Sequence, residues 1–204
     1  MGVSFRTIAA TTLFGALLFT PVAHATRYKV IAKTGYGSFN YTAPFSSGSS
    51  TAPAIGVGGD VSFGQASSLG FDLLIGLGLA DKLVSFSQVH FLYKYYPMSY
   101  NSYVVSGDAD NKISVRSSFY PYVAAGLGYS TLVVKAKASS SSTIVVTTNS
   151  QYFDAVVGGG SDFSIGERWG LNFQALASYG QGGTATGTLS AMAVTASLGV
   201  FWDF

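Results

Sequence analysis

Cysteine is absent from the 204 residues, so no disulfide staples the chain and no thiolate is available for catalysis or a metal centre. Charge is nearly as scarce. Charged residues make up 10% of the chain, well below the quarter usual in soluble domains. Lysine and arginine total 11, aspartate and glutamate 9, and Glu167 is the sole glutamate. Nucleic acid needs a concentrated basic surface, so no nucleic-acid partner is expected. Beyond the first 25 residues no uncharged apolar run reaches the length of about 18 that a membrane-crossing helix requires. What the chain has instead is 25 glycines, 13 tyrosines and 15 phenylalanines. Glycine and aromatics at these levels, with few charges, suit an all-β membrane barrel.

The first 25 residues read as an export signal. Arg6 supplies the positive charge, residues 7–20 are apolar and uncharged, and Ala23, His24 and Ala25 form a small-residue cleavage site. The expected organisation is therefore a signal peptide at 1–25 and one barrel domain at 26–204.

Alternation of period two recurs through that domain. In the last segment, Met192, Val194, Ala196, Leu198, Val200, Trp202 and Phe204 share one face, and Thr195, Ser197, Gly199 and Asp203 the other. The same scheme appears at 27–41, 69–80, 83–97, 112–120, 121–136, 151–165 and 169–180, which makes eight strands. Short joins fall near 81, 121 and 167. Long ones fall at 42–68, 98–111, 137–150 and 181–190. Residues 54–65 are open between a ninth strand, an extension of the second, and part of the first loop; 100–118 reads alternatively as a hairpin turning at 108–111. The pattern predicts an all-β fold: an eight-stranded antiparallel up-and-down transmembrane β-barrel with short periplasmic turns and long extracellular loops.

A soluble barrel shows the same alternation with its apolar face inward, so composition decides the orientation. The polar face is mostly Gly, Ser, Ala and Asn with isolated charges, which suits a narrow interior. The apolar face collects aromatics at its ends: Tyr28, Trp169, Trp202 and Phe204 at the turn end, and Tyr36, Tyr93, Tyr95, Tyr129, Phe153 and Tyr179 at the loop end. Two aromatic belts around an aliphatic band match two membrane interfaces. The inward charges are then Lys29, Lys33, Lys94 and Arg116 against Asp72, Asp154, Asp162 and Asp203. Burial makes pairing necessary. An interior network is expected that also includes Gln88, His90, Asn172 and Gln174, filling the lumen with side chains.

Residues for chemistry are few. His90 is the one histidine of the expected domain, placed mid-strand and inward, without the oriented partner that nucleophile activation needs. Asp108 and Asp110 read as a turn. No cofactor, metal site or enzymatic activity is expected.

Tyr120-Pro121-Tyr122-Val123-Ala124-Ala125-Gly126-Leu127-Gly128-Tyr129 resembles the fifth strand of the OmpA/OmpX-type small outer-membrane β-barrel superfamily, and the closing strand ending in Phe204 matches as well. That resemblance implies a location in the bacterial outer membrane, contact with outer-membrane lipid and lipopolysaccharide, and recognition of Phe204 by the barrel-assembly machinery. It further implies a non-enzymatic surface or structural role with loops meeting a host or environmental ligand. A narrow pore for small solutes is the alternative, and a lipid A-modifying enzyme a third reading.

Overall fold

In the computed structural model the chain is described at residues 25–43, 46–63, 66–77, 83–98, 102–106, 112–116, 118–137, 145–166, 168–184 and 187–204. The expected signal peptide, apart from Ala25, and the turn at 108–111 lie outside these residues. Ten strands run in order: β1 (Ala25–Ala43), β2 (Ser46–Phe63), β3 (Ser67–Leu77), β4 (Leu83–Tyr95), β5 (Ser102–Ser106), β6 (Lys112–Arg116), β7 (Phe119–Lys137), β8 (Val145–Ser164), β9 (Trp169–Thr184) and β10 (Gly187–Asp203). Eight of them close an antiparallel barrel in the order β1-β10-β9-β8-β7-β4-β3-β2, and β5 and β6 pair only with each other.

The barrel's shape follows from its register. From Tyr28 the paired residues run Val61, Leu69, Tyr93, Ala125, Val157, Ala177 and Val194, and the path re-enters β1 at Ser38, ten residues from its start. With strands about 4.8 Å apart and rising about 3.3 Å per residue, that stagger sets a tilt of about 41° and a radius of about 8 Å. Side chains alternate between lumen and outer face along most of the wall. On β1, Lys29, Ile31, Lys33, Phe39 and Tyr41 are buried in the lumen, while Tyr28, Val30, Tyr36 and Asn40 face out.

The outer face carries one apolar band. On β9 it runs from Trp169 through Leu171 and Phe173 to Tyr179, and on β10 from Trp202 through Val200, Leu198 and Val194 to Met192. Ten residues at that tilt span about 25 Å, the height of the lipid-facing band in membrane barrels. Aromatics mark its limits: Tyr28, Tyr95, Phe119, Phe163, Trp169, Trp202 and Phe204 near the two chain ends, and Tyr36, Tyr129, Phe153 and Tyr179 at the far end. Beyond the far belt the strands continue, and on five of them the described outward residues are polar and uncharged: Asn40 and Thr42 on β1, Ser47, Ser49 and Thr51 on β2, Asn149 and Gln151 on β8, Gln181 on β9, Thr188 and Ser190 on β10. This rim stands about 10 Å above the belt. The band makes a prediction. Leu198→Arg, in mid-band, is expected to destabilise the lipid-embedded barrel by about 2–4 kcal/mol, and Thr188→Arg, on the same strand in the rim, by at most about 1 kcal/mol. Urea unfolding in lipid vesicles reads the difference, and equal effects would contradict the band.

The structure corrects the strand assignment in three linked ways. Residues 54–63 belong to a full wall strand, β2, with 64–65 outside the described residues, while 112–116 lies in the separate β5–β6 ribbon, so the wall keeps eight strands with one exchanged member. The exchange reverses the direction of β3 and β4. Tyr95 therefore pairs with Ser67 and Val123 near the chain ends, and Tyr93 lies on that side too, not at the loop end. Much of the expected loops at 42–68, 137–150 and 181–190 is wall, and the connection longest in sequence, between β4 and β7, leaves at the same barrel end as Ala25 and Phe204.

Candidate functional site: the charged interior

The wall places Lys29 and Lys33 on β1, Asp60 on β2, Asp72 on β3, Gln88, His90 and Lys94 on β4, Asp154 and Asp162 on β8, Asn172 and Gln174 on β9, and Asp203 on β10, all buried. Arg116 is not among them. It lies on β6 opposite Ser102, outside the barrel wall. Its place as fourth lumen cation is taken by Arg27, which pairs with Asp203. Asp60 is the other participant that the sequence left unassigned, because its strand was not recognised.

Near the chain ends the charges form one continuous network. Lys29 pairs with Asp162 and lies 3.7 Å from Asp60, which also accepts from Lys94 Nζ at 2.7 and 3.0 Å. Asp162 further accepts from Asn172 Nδ2 at 2.7 Å and from Tyr96 OH at 3.2 Å; Asn172 also donates to Tyr122 OH at 3.1 Å. Aromatic rings cover the ammonium groups: Phe201 lies 4.9 Å from Lys29 Nζ and Tyr122 5.0 Å from Lys94 Nζ. Higher up, Lys33 pairs with Asp72 and donates to Gln174 Oε1 at 2.9 Å. Above that, His90 Nε2 stands 3.5 Å from Asp154 Oδ2, and Ser130 Oγ donates to the same oxygen at 2.7 Å.

Glycines make these approaches possible. Asp60, Asp72 and Asp154 each stand directly opposite an inward glycine on the neighbouring strand, Gly70, Gly58 and Gly128 respectively. A Cβ on those glycines would lie 2.3, 2.9 and 2.2 Å from the carboxylate oxygen. Each carboxylate thus folds across the space where a side chain would sit.

The interior is packed at both ends. Phe39, Tyr41, Leu74, Phe86, Leu132 and Leu189 fill the rim end, with the Phe39 and Phe86 rings 4.4 Å apart. Leu92, Tyr96, Tyr120 and Tyr122 fill the other. The ionic side chains between them are almost wholly inaccessible to water: Lys33 at 6% is the most exposed of Lys29, Lys33, Asp60, Asp72, Lys94, Asp154 and Asp162. Burial this deep, with each ammonium held by carboxylates, is what keeps such charges tolerable in a dry interior.

The chemistry open to this arrangement is narrow. Ser130 donates to Asp154 rather than to His90, so no imidazole is placed to take its proton, and Ser130 is fully buried. Among the described residues no three His, Cys, Asp or Glu side chains group to hold a metal ion.

No protein-family model matches the sequence, and no curated protein matches it. Solved structures do match in fold. The chain is similar to Neisserial surface protein A, with a TM-score of 0.59 at 12% identity over 87% of this chain and 97% of that one. It is also similar to the N-terminal β-barrel domain of Pseudomonas aeruginosa OprF, with a TM-score of 0.53 at 15% identity over 87% and 97%. The closed eight-stranded wall, the aromatic-bounded apolar band and these likenesses agree: the chain has the fold of the small outer-membrane β-barrels of the OmpA/OmpX type.

Proposed function

We propose that this protein is a non-enzymatic integral barrel of the bacterial outer membrane, plugged by its own side chains, that contributes to membrane integrity and presents its polar rim to the outside. The observation that carries this reading is the joining of an apolar band about 25 Å tall with a lumen whose charges are paired and sealed. The chain termini then face the periplasm, and the strand ending at Phe204 is the element offered to the assembly machinery. The rim-end connections at 44–45, 78–82, 138–144 and 185–186 span at most seven residues between strands, so contact with lipopolysaccharide or an external ligand falls on the strand rim as much as on the connections.

Conductance tests the plug. Refolded protein in a planar bilayer is expected to give no steady unitary currents in neutral salt. Reproducible channels of one size would replace this reading with that of a narrow pore.

A further inference from the structure

The rim carries a cleft that the plugged-barrel reading leaves unused. It lies in the rim wall where β9, β10, β1 and β2 adjoin, with a volume of 350 Å³; Asn40, Thr42, Tyr179, Ser190 and Met192 line it from outward positions, and Tyr41, Gly48 and Ala191 from inward ones. That volume is at the small end for molecular clefts. The register sets Asn40 opposite Met192 and Met192 opposite Tyr179, so the ring and the thioether lie at the upper belt while Thr42 and Ser190 stand one pair higher. Gln181 Nε2 donates to Tyr179 OH at 2.8 Å, which holds the phenol at the cleft edge.

We infer that this cleft binds a neutral sugar ring of a glycolipid headgroup in the outer leaflet. Three features point to that class. The cleft sits immediately above the aromatic belt, the depth at which a headgroup leaves the acyl chains. Its polar groups are hydroxyls and a carboxamide, which both donate and accept, as sugar hydroxyls require. No charged residue lines it, so it lacks the ammonium or guanidinium that a phosphate would call for. Tyr179 and Met192 supply an apolar flank for the C–H face of a pyranose. A lipid-anchored sugar is the occupant, because Tyr179 and Met192 set the cleft at the height of the upper aromatic belt, where a headgroup tethered in the leaflet reaches it. The inference rests on the outer-membrane reading but not on any external partner.

The test uses the full folded barrel in vesicles of phosphatidylethanolamine containing a lactosyl lipid with the same acyl chains, with native mass spectrometry counting retained lipids. Retention of the glycolipid at least about 5-fold above phosphatidylethanolamine is expected for the unaltered protein, and near parity for the Asn40→Ala, Thr42→Val double variant, the difference being about 1 kcal/mol of hydrogen bonding. Gln151→Ala, in the rim on β8 and outside the cleft, is expected to keep the preference. Heat-modifiability on gels confirms that each variant is folded. Parity in the unaltered protein, or an undiminished preference in the double variant, overturns the site. Saturation by free lactose at the concentrations at which the lipid binds overturns its assignment to the leaflet. The barrel inserts in both vesicle types whichever way the preference falls, so a negative result removes the sugar site alone.

Discussion

Replacing Lys33 with methionine is expected to destabilise the barrel by about 3–5 kcal/mol, the loss typical when one partner of a buried ion pair is removed. Among the described residues Lys33 is the one cation paired with Asp72, and the carboxylate's second oxygen, Oδ2, has no hydrogen-bond partner there. Asp72 is 2% exposed, so without the ammonium it can neither stay charged in water nor find another base. Lys94→Met should do less, because Asp60 keeps Lys29 at 3.7 Å. Changing both partners, Lys33→Met with Asp72→Leu, should restore much of the loss, since apolar groups of similar volume replace buried pairs at little net cost. Urea midpoints measured in detergent for the two single variants and the double variant give the cycle. A Lys33→Met barrel within 0.5 kcal/mol of the unaltered one, as for a typical surface substitution, would mean that water reaches Asp72.

Gly128→Val is the second large effect. Its Cβ would stand 2.2 Å from Asp154 Oδ1, 2.3 Å from His90 Cδ2 and 3.0 Å from the Val89 carbonyl oxygen. The carbonyl belongs to the wall and cannot move aside, so the imidazole and carboxylate must separate. Overpacking of this kind costs about 3 kcal/mol. Gly183→Ala, in the rim strand β9, is the matched control, for a Cβ there meets nothing within 4 Å. It should change stability by no more than about 0.5 kcal/mol. Heat-modifiability temperature separates the two. The combination Gly128→Val with Asp154→Ala should recover part of the loss, since it vacates the space the new methyl groups need.

Which face each residue takes was readable from the sequence, and which way each strand runs was not. Period two assigns Lys29, Lys33, Asp72, His90, Lys94, Asp154 and Asp162 to one side of a ribbon whatever the ribbon's direction, and these residues do line the lumen. Direction depends on how many wall strands precede, and there two segments misled. Residues 46–53 are Ser, Gly, Thr, Ala and Pro, the composition of a loop, because the rim end of β2 has polar surroundings on its outer side and no lipid to select large residues. Residues 112–116 alternate well enough for a wall strand, yet β5 lies nearer in sequence and satisfies their backbone as a hairpin. One wrong member in and one left out preserve the total of eight and keep β7 the fifth strand of the wall. The same error turned β3 and β4 upside down, moved Tyr93 and Tyr95 to the wrong belt, and put Arg116 where Arg27 belongs. The pairing of Asp60, Asp72 and Asp154 with opposite glycines was hidden for the same reason: it exists only once register is known.

The ion pair between Lys29 on β1 and Asp162 on β8 has a consequence for how the cylinder forms. These residues lie 133 apart in sequence, and β9 and β10 stand between their strands in the wall. In an unrolled sheet both groups are hydrated, and their desolvation waits until β1 meets β10, where Arg27 and Asp203 also join and Phe204 N bonds the Tyr28 carbonyl at 2.9 Å. Closure therefore commits several charges at once, which disfavours partial unzipping of the seam afterwards. Until then the ribbon keeps one water-loving side.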